Sequence, residues 1–135
     1  GASITMAKGA ADAGLIPSVA VIGDSTFTHS GMTGLLDAIN EKSPITVIIS
    51  DNETTAMTGG QPSSGHNRIE AICQGLGVEP EHIHVMVPHR KNYEEMVALI
   101  KKELSYPGVS VIIPRRECIQ TLSRRKRSEA AVKNE

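Results

Sequence analysis

Four short apolar runs, each too brief for a buried helix and each followed or preceded by a stretch of helical period, limit this chain to very few architectures. The runs are Val19–Ile22, Ile45–Ser50, Ile83–Val87 and Val109–Ile113. Their Val and Ile content suits a pleated strand, and their near-continuous apolarity suits a strand covered on both faces. Between them the period changes. Met32, Leu35, Leu36 and Ile39 recur at i, i+3, i+4 and i+7, the stripe of a helix beginning near Ser30 or Gly31. Ile69, Ile72, Cys73 and Leu76 repeat the pattern, with Gly75 and Gly77 marking its end, and so do Tyr93, Met96, Val97, Ile100 and Leu104, with Asn92 placed to cap them. Ahead of the first run, Ser3 to Ala13 reads as a small-residue helix that Gly14 ends, with Pro17 beyond. The order α-β-α-β-α-β-α-β predicts an α/β fold, a doubly wound parallel sheet with helices on both faces. Because the chain opens on a helix, a preceding strand is expected to be missing from the amino end of the domain.

At 135 residues the chain holds one domain's core. With no Trp, one Phe and two Tyr, that core must be mostly Ile, Val, Leu and Ala. No apolar run approaches the ~20 residues that span a bilayer, so no membrane partner is expected. Cys73 and Cys118 are far apart and show no CxxC spacing, which argues against a disulfide framework and for a reduced, cytoplasmic setting. Charge divides the chain at residue 115. Residues 1–114 carry 7 Lys and Arg against 12 Asp and Glu, while residues 115–135 carry 7 against 3, clustered at Arg115-Arg116 and Arg124-Arg125-Lys126-Arg127. The run lacks interleaved aromatics for base stacking, so a solvated basic tail over 115–135 is expected rather than a nucleic-acid contact.

Two strand ends carry the candidate chemistry. Gly23-Asp24-Ser25 follows the first run and Asp51-Asn52-Glu53-Thr54 follows the second. In a parallel sheet the carboxyl ends of neighbouring strands open on one crevice, where ligands bind. An Asp oxygen and an Asn oxygen converging there form a hard oxygen site suited to Mg²⁺, an ion that also takes phosphate oxygens and water. Ser25 and Thr26 add hydroxyl donors ahead of a helix amino terminus, which favours anions. The same residues have a plain structural use, in which Asp24 opens an Asx-turn and Ser30 caps a helix. Asn52 lies 28 positions after Asp24, and residues 51–66 form a long loop rich in Thr, Gly, Ser and Pro. Loops of that length in compact domains tend to be functional or disordered. Gly59 and Gly60 permit conformations closed to other residues, so the loop can wrap a ligand closely or simply turn.

These residues resemble a known pattern. Gly23-Asp24-Ser25, followed about 30 positions later by Asp51-Asn52, is similar to the thiamine diphosphate fingerprint, whose usual form runs from Gly-Asp-Gly to Asn-Asn. The strings from Gly23 to Met32 and from Asp51 to Pro62 resemble the 2-oxoacid:ferredoxin oxidoreductase family, and within it the cofactor-binding alpha subunit of the indolepyruvate branch. The likeness covers most of residues 1–116 and the carboxyl-terminal domain of that subunit. It implies a thiamine diphosphate-binding domain over 1–114. It implies Mg²⁺ held by the side chains of Asp24 and Asn52 and the backbone carbonyl of Thr54. Gly23, Ser25 and Thr26 would meet the diphosphate; Thr58, Gly60 and Gln61 would close over it, and Met57 would pack beneath the cofactor or anchor the loop. Ser25 and Asp51 depart from the usual fingerprint, but neither position must supply a metal ligand. The resemblance sets His29 near the mouth of the thiazolium pocket, where an imidazole could touch a substrate carboxylate or serve as an ordinary polar residue. His66, His82, His84 and His89 show no ligand-like grouping and are expected at the surface.

By the same resemblance, the full enzyme would oxidatively decarboxylate indolepyruvate and other aromatic 2-oxo acids, pass electrons through iron–sulfur clusters to ferredoxin, and deliver the acyl group to coenzyme A. The clusters, the glutamate that activates the cofactor, the remaining domains of the alpha subunit and a second subunit would lie outside this chain, which alone would not turn over. Two other readings stay open: a non-oxidative thiamine diphosphate enzyme of the decarboxylase or acetolactate synthase type, and a flavodoxin-like binding or regulatory module with Asp24 and Asp51 as an acidic pocket.

Overall fold

A computed structural model of the chain describes residues 2–51, 54–55, 61–62, 69–115 and 119–133. Helix α1 (Ser3–Asp12) leads to strand β1 (Ser18–Gly23). A single helical path then runs through α2 (Asp24–Thr26), a π-helical turn (Phe27–Gly31) and α3 (Met32–Asn40). Strand β2 (Ile45–Ser50) follows, then the short β3 (Thr54–Thr55) and β4 (Gln61–Pro62), and α4 (Ile69–Leu76). The remainder is β5 (Ile83–Met86), α5 (Tyr93–Leu104), β6 (Ser110–Pro114) and α6 (Ile119–Lys133).

The main sheet is parallel, in the order β1-β2-β6-β5. Its register sorts side chains into rows. Ala20, Val47, Val111 and Ile83 align across one face; Val21, Ile48, Ile112 and His84 align across the other. On the first face, Ile4, Ala7 and Ala11 of α1 and Leu35 of α3 join Ala20, Ile22, Val47 and Ile49 in the apolar core. The alanines explain the close seat of α1, since a small side chain lets a helix approach a sheet. On the second face, α5 packs through Glu103, which bonds His84. Helices therefore lie on both faces, as the period predicts, although Val19 and Val21 of β1 stay exposed on the second.

Helix ends follow local chemistry in some places and depart from it in others. Gly14 and Gly77 adopt φ +88° and +115°, the left-handed region that glycine enters without strain, and each follows a helix end. Gly75 instead lies inside α4. The helix expected near Ser30 begins six residues earlier, at Asp24, directly at the end of β1. Ser30 is therefore no cap; its hydroxyl donates back to the Thr26 carbonyl at 3.4 Å. Asn92 does precede α5, but its side chain makes no capping bond and its amide reaches the Val87 carbonyl at 3.5 Å. The expected loop over 51–66 contains the antiparallel pair β3–β4, with Thr54 opposite Pro62 and Thr55 opposite Gln61. The basic segment carries α6, whose residues 126–133 are exposed. No helix among the described residues is long and apolar enough to cross a membrane.

Candidate functional site

The early helix start determines the chemistry at the end of β1. Gly23 has extended backbone (φ −78°, ψ 156°), and Asp24, the next residue, opens the helical path while 4 % exposed. The first-turn N–H groups of a helix lie outside its own hydrogen-bond ladder, so this strand-to-helix junction presents donors toward the crevice at the sheet edge. Ser25 is half-buried and Thr26 exposed, while Phe27 is fully buried and anchors the turn. The Thr28 hydroxyl donates to the carbonyls of Ser25 at 3.0 Å and Asp24 at 3.2 Å, tightening the turn from within. The π-helical turn that follows sets Phe27 and Gly31 inward and His29 outward.

Adjacent parallel pairing brings the second strand end alongside. Gly23 is level with Ser50, so Asp24 and Asp51 leave the sheet together on its carboxyl edge. Asn52, Met57, Thr58 and Gly60 lie outside the described residues, as does His66. Thr54 and Gln61 are described in their backbone, where the β3–β4 register sets them at neighbouring positions. Of the expected pair, Asp24 stands at a strand end beside Asp51, the residue that precedes Asn52 in sequence.

A second group at this edge carries no signal in the sequence that marks it as a cluster. Arg115 continues β6, forming a parallel bridge with Asp51. The Asp51 N–H donates to the Pro114 carbonyl at 3.0 Å and the Arg115 N–H to that of Met86 at 2.8 Å, extending the ladder past the strand ends. The Arg115 guanidinium then splits: Nε donates to Asp51 Oδ2 at 2.7 Å and Nη1 pairs with Glu70 Oε1 at 2.7 Å. The bond from Arg115 holds the Glu70 carboxyl below its usual range, against the opposing effect of burial. The bond to Glu70 is likewise the main influence that raises the Arg115 guanidinium above its ordinary value. Asp51 is therefore a buried ion-pair partner, and Arg115, the first residue of the basic run, is held within the domain.

The opposite edge differs from expectation. His82 Nδ1 and His84 Nε2 each lie 2.8 Å from an oxygen of buried Glu103, so these two histidines are grouped and partly buried. His82 also lies near Glu79 and Glu81 in an arrangement of metal-ligand type, and its ring stacks on Tyr106 with centroids 3.5 Å apart. A cavity of about 390 Å³ sits nearby between Lys42, Gly77, Glu79 and Tyr106. These features belong to the amino edge, away from Asp24. His89 is exposed, as expected.

Residues 1–113 match the family described as thiamine pyrophosphate enzyme, C-terminal TPP binding domain. The chain belongs to that family. Thiamine pyrophosphate and thiamine diphosphate are one compound, so the family agrees with the fingerprint and displaces the flavodoxin-like reading. The chain is 36 % identical over 143 aligned positions to indolepyruvate oxidoreductase subunit IorA of Archaeoglobus fulgidus, covering 98 % of this chain and 22 % of that protein. It is 37 % identical to the subunit of the same name from Pyrococcus horikoshii, covering 74 % of this chain and 16 % of that one. The chain thus spans about a fifth of the length of the curated relatives it matches. Among solved structures, a thiamine diphosphate-dependent 4-hydroxybenzoylformate decarboxylase from Rhodococcus jostii RHA1 aligns with a TM-score of 0.65 at 19 % identity, over 87 % of this chain and 23 % of that one. A thiamin diphosphate-dependent enzyme from Mycobacterium smegmatis aligns at 0.63 and 22 %, over 87 % and 21 %. These likenesses establish the fold of a thiamine pyrophosphate-binding domain.

The residues fit that cofactor's needs. A buried carboxylate at a strand end, beside a helix start rich in N–H and hydroxyl donors, matches a divalent cation paired with phosphate oxygens.

Proposed function

We propose that this chain holds Mg²⁺–thiamine diphosphate within an oxidoreductase that oxidatively decarboxylates indolepyruvate and related aromatic 2-oxo acids to acyl-CoA, with reduction of ferredoxin. The single observation that carries the reading is Asp24, buried at the carboxyl end of β1 and heading a helix beside the end of β2. The relatives more than 30 % identical are named as indolepyruvate oxidoreductase subunits, and that supports the oxidative branch over the decarboxylase branch.

Asp24, Asn52 and the Thr54 carbonyl would hold the Mg²⁺. Gly23, Ser25 and Thr26 would receive the diphosphate, and Met57, Thr58, Gly60 and Gln61 would line the loop around it. When bound, the cofactor would supply a nucleophilic carbon and, in the same cationic ring, the electron sink for the pair left behind by carbon dioxide. This chain's residues bind and orient it: the carboxylate neutralises metal charge, and the helix start neutralises phosphate charge. His29, exposed on the π-helical turn, is a candidate to meet the substrate carboxylate. Iron–sulfur clusters, coenzyme A and ferredoxin sites, and the acid that activates the cofactor would come from the rest of the alpha subunit and a second subunit, in a cytoplasmic enzyme. The isolated chain would not turn over.

The test is calorimetric titration of the full enzyme with thiamine diphosphate and Mg²⁺, comparing Asp24→Ala and Asn52→Ala with the parent. Both substitutions should abolish Mg²⁺-dependent binding. Affinity retained in both would overturn the reading.

A further inference from the structure

One guanidinium touches both flanks of the segment that carries most of the proposed cofactor residues. Asp51 stands immediately before residue 52, and Glu70 immediately after Ile69 opens α4. Between them lie Asn52, Thr54, Met57, Thr58, Gly60 and Gln61. Arg115, 64 residues from Asp51, bonds Asp51 through Nε and Glu70 through Nη1, each at 2.7 Å. Its own backbone is tied into the sheet through Asp51 and Met86. We propose that Arg115 is a positioning residue that fastens the end of β2, at Asp51, and the start of α4, at Glu70, to each other and to the carboxyl edge of the sheet, and so supports cofactor binding by the residues that lie between them in sequence.

Charge and geometry favour this over a ligand-binding role. Two carboxylates against one guanidinium leave the cluster net negative, which disfavours an anionic ligand such as a phosphate. Asp51 is fully buried and Arg115 mostly so, so their bond is shielded from the solvent screening that weakens surface pairs. A rigid planar fork can hold two acceptors that belong to separate elements, whereas an ammonium is a point charge on a flexible stem. Fastening the ends of a segment removes conformational freedom that cofactor binding would otherwise have to remove.

This inference rests on the cofactor reading above, and its test separates the two. In the full enzyme, Glu70→Gln, Arg115→Gln, Arg115→Lys and the double variant Glu70→Gln/Arg115→Gln are compared by calorimetric titration with thiamine diphosphate and Mg²⁺. Amide exchange by mass spectrometry, without cofactor, provides a second arm. Glu70→Gln should weaken the cofactor by about tenfold, the worth of one charged hydrogen bond, and Arg115→Gln, which loses two, by at least as much. The double variant should be no weaker than Arg115→Gln alone, because both changes break the same clasp. Arg115→Lys should fail to restore affinity, and exchange at Asp51 and in the first turn of α4 should quicken in Glu70→Gln while β1 and β2 stay protected. Full rescue by Arg115→Lys would overturn the two-ended clasp, as would unchanged exchange in both single variants. Quickened exchange with unchanged affinity would overturn the link to the cofactor. A parent enzyme that binds no thiamine diphosphate would end the cofactor reading, and the exchange arm would still decide the clasp.

Discussion

Removing the Glu103 carboxylate should produce a large and pH-dependent loss of stability. Glu103 is 2 % exposed, yet it carries a charge that burial alone would expel. Burial pushes its pKa up, but the bonds from His82 and His84 together outweigh that, and the carboxyl ends below its ordinary value. Glu79 and Glu81 face His82 from the turn before β5, and among the described residues the imidazoles of His82 and His84 are the groups paired with Glu103. Each hydrogen bond to a charged acceptor contributes about 1.5–3 kcal/mol. His82 and His84 keep 17 % and 26 % of their side-chain surface exposed, so water recovers part of that once the acceptor is gone. A net loss of about 2–4 kcal/mol is expected for Glu103→Ala, and about 1–2 kcal/mol for the isosteric Glu103→Gln, which keeps the shape and one acceptor. The assay is urea unfolding of the parent and both variants at a series of pH values. A group whose folded pKa is depressed stabilises above its unfolded value, roughly 4.3 for Glu, and that contribution disappears as pH falls through the folded value. The gap between parent and Glu103→Gln should therefore be present above the ordinary Glu value and close as pH falls through the lowered folded value. A loss under about 0.5 kcal/mol for Glu103→Ala at pH 7, or a gap between parent and Glu103→Gln that stays open once the carboxyl is protonated, would refute the reasoning.

Other expectations follow from the packing. Phe27→Ala empties a fully buried position at the start of the helical path, and chemical denaturation should show a loss of about 3–5 kcal/mol. The buried hydroxyls of Thr46 and Ser110 pair at 3.1 Å. Thr46→Val should cost about 1–2 kcal/mol by stranding its partner, while Thr46→Val/Ser110→Ala should recover most of that, which a double-mutant cycle would measure. The Cys73 thiol is fully buried, and burial chiefly raises its pKa to about 12. Peptide-resolved alkylation at pH 8 should leave Cys73 unlabelled in the folded protein and label it in urea.

The element plan was legible because hydrophobic period is a local property. The apolar runs became strands within a residue or so of the expected ends, and the i, i+3, i+4 stripes at Ile69 and Tyr93 became α4 and α5. Where the reading failed, a tertiary contact had overridden local chemistry. Ser30 looks like a cap, but burial of Phe27 and Gly31 between β1 and α3 draws the helix back to Asp24. Leu36 falls on the apolar stripe yet is 40 % exposed, and Ala38 takes the buried position.

The candidate site divides the same way. Chain order was enough to put Asp24 and Asp51 at the ends of two strands and to point to the family, because the strings that carry the resemblance are runs of consecutive residues. It also determined that the core is aliphatic and the sheet parallel. The three-dimensional fold alone decided that β6 lies between β2 and β5, since strand order is a matter of packing rather than chain order. That neighbourhood made Arg115 the partner of Asp51 across 64 residues, and made Glu103 the shared acceptor of His82 and His84. Both are ion clusters in which no member is within ten residues of its partner, so no local pattern could have shown them.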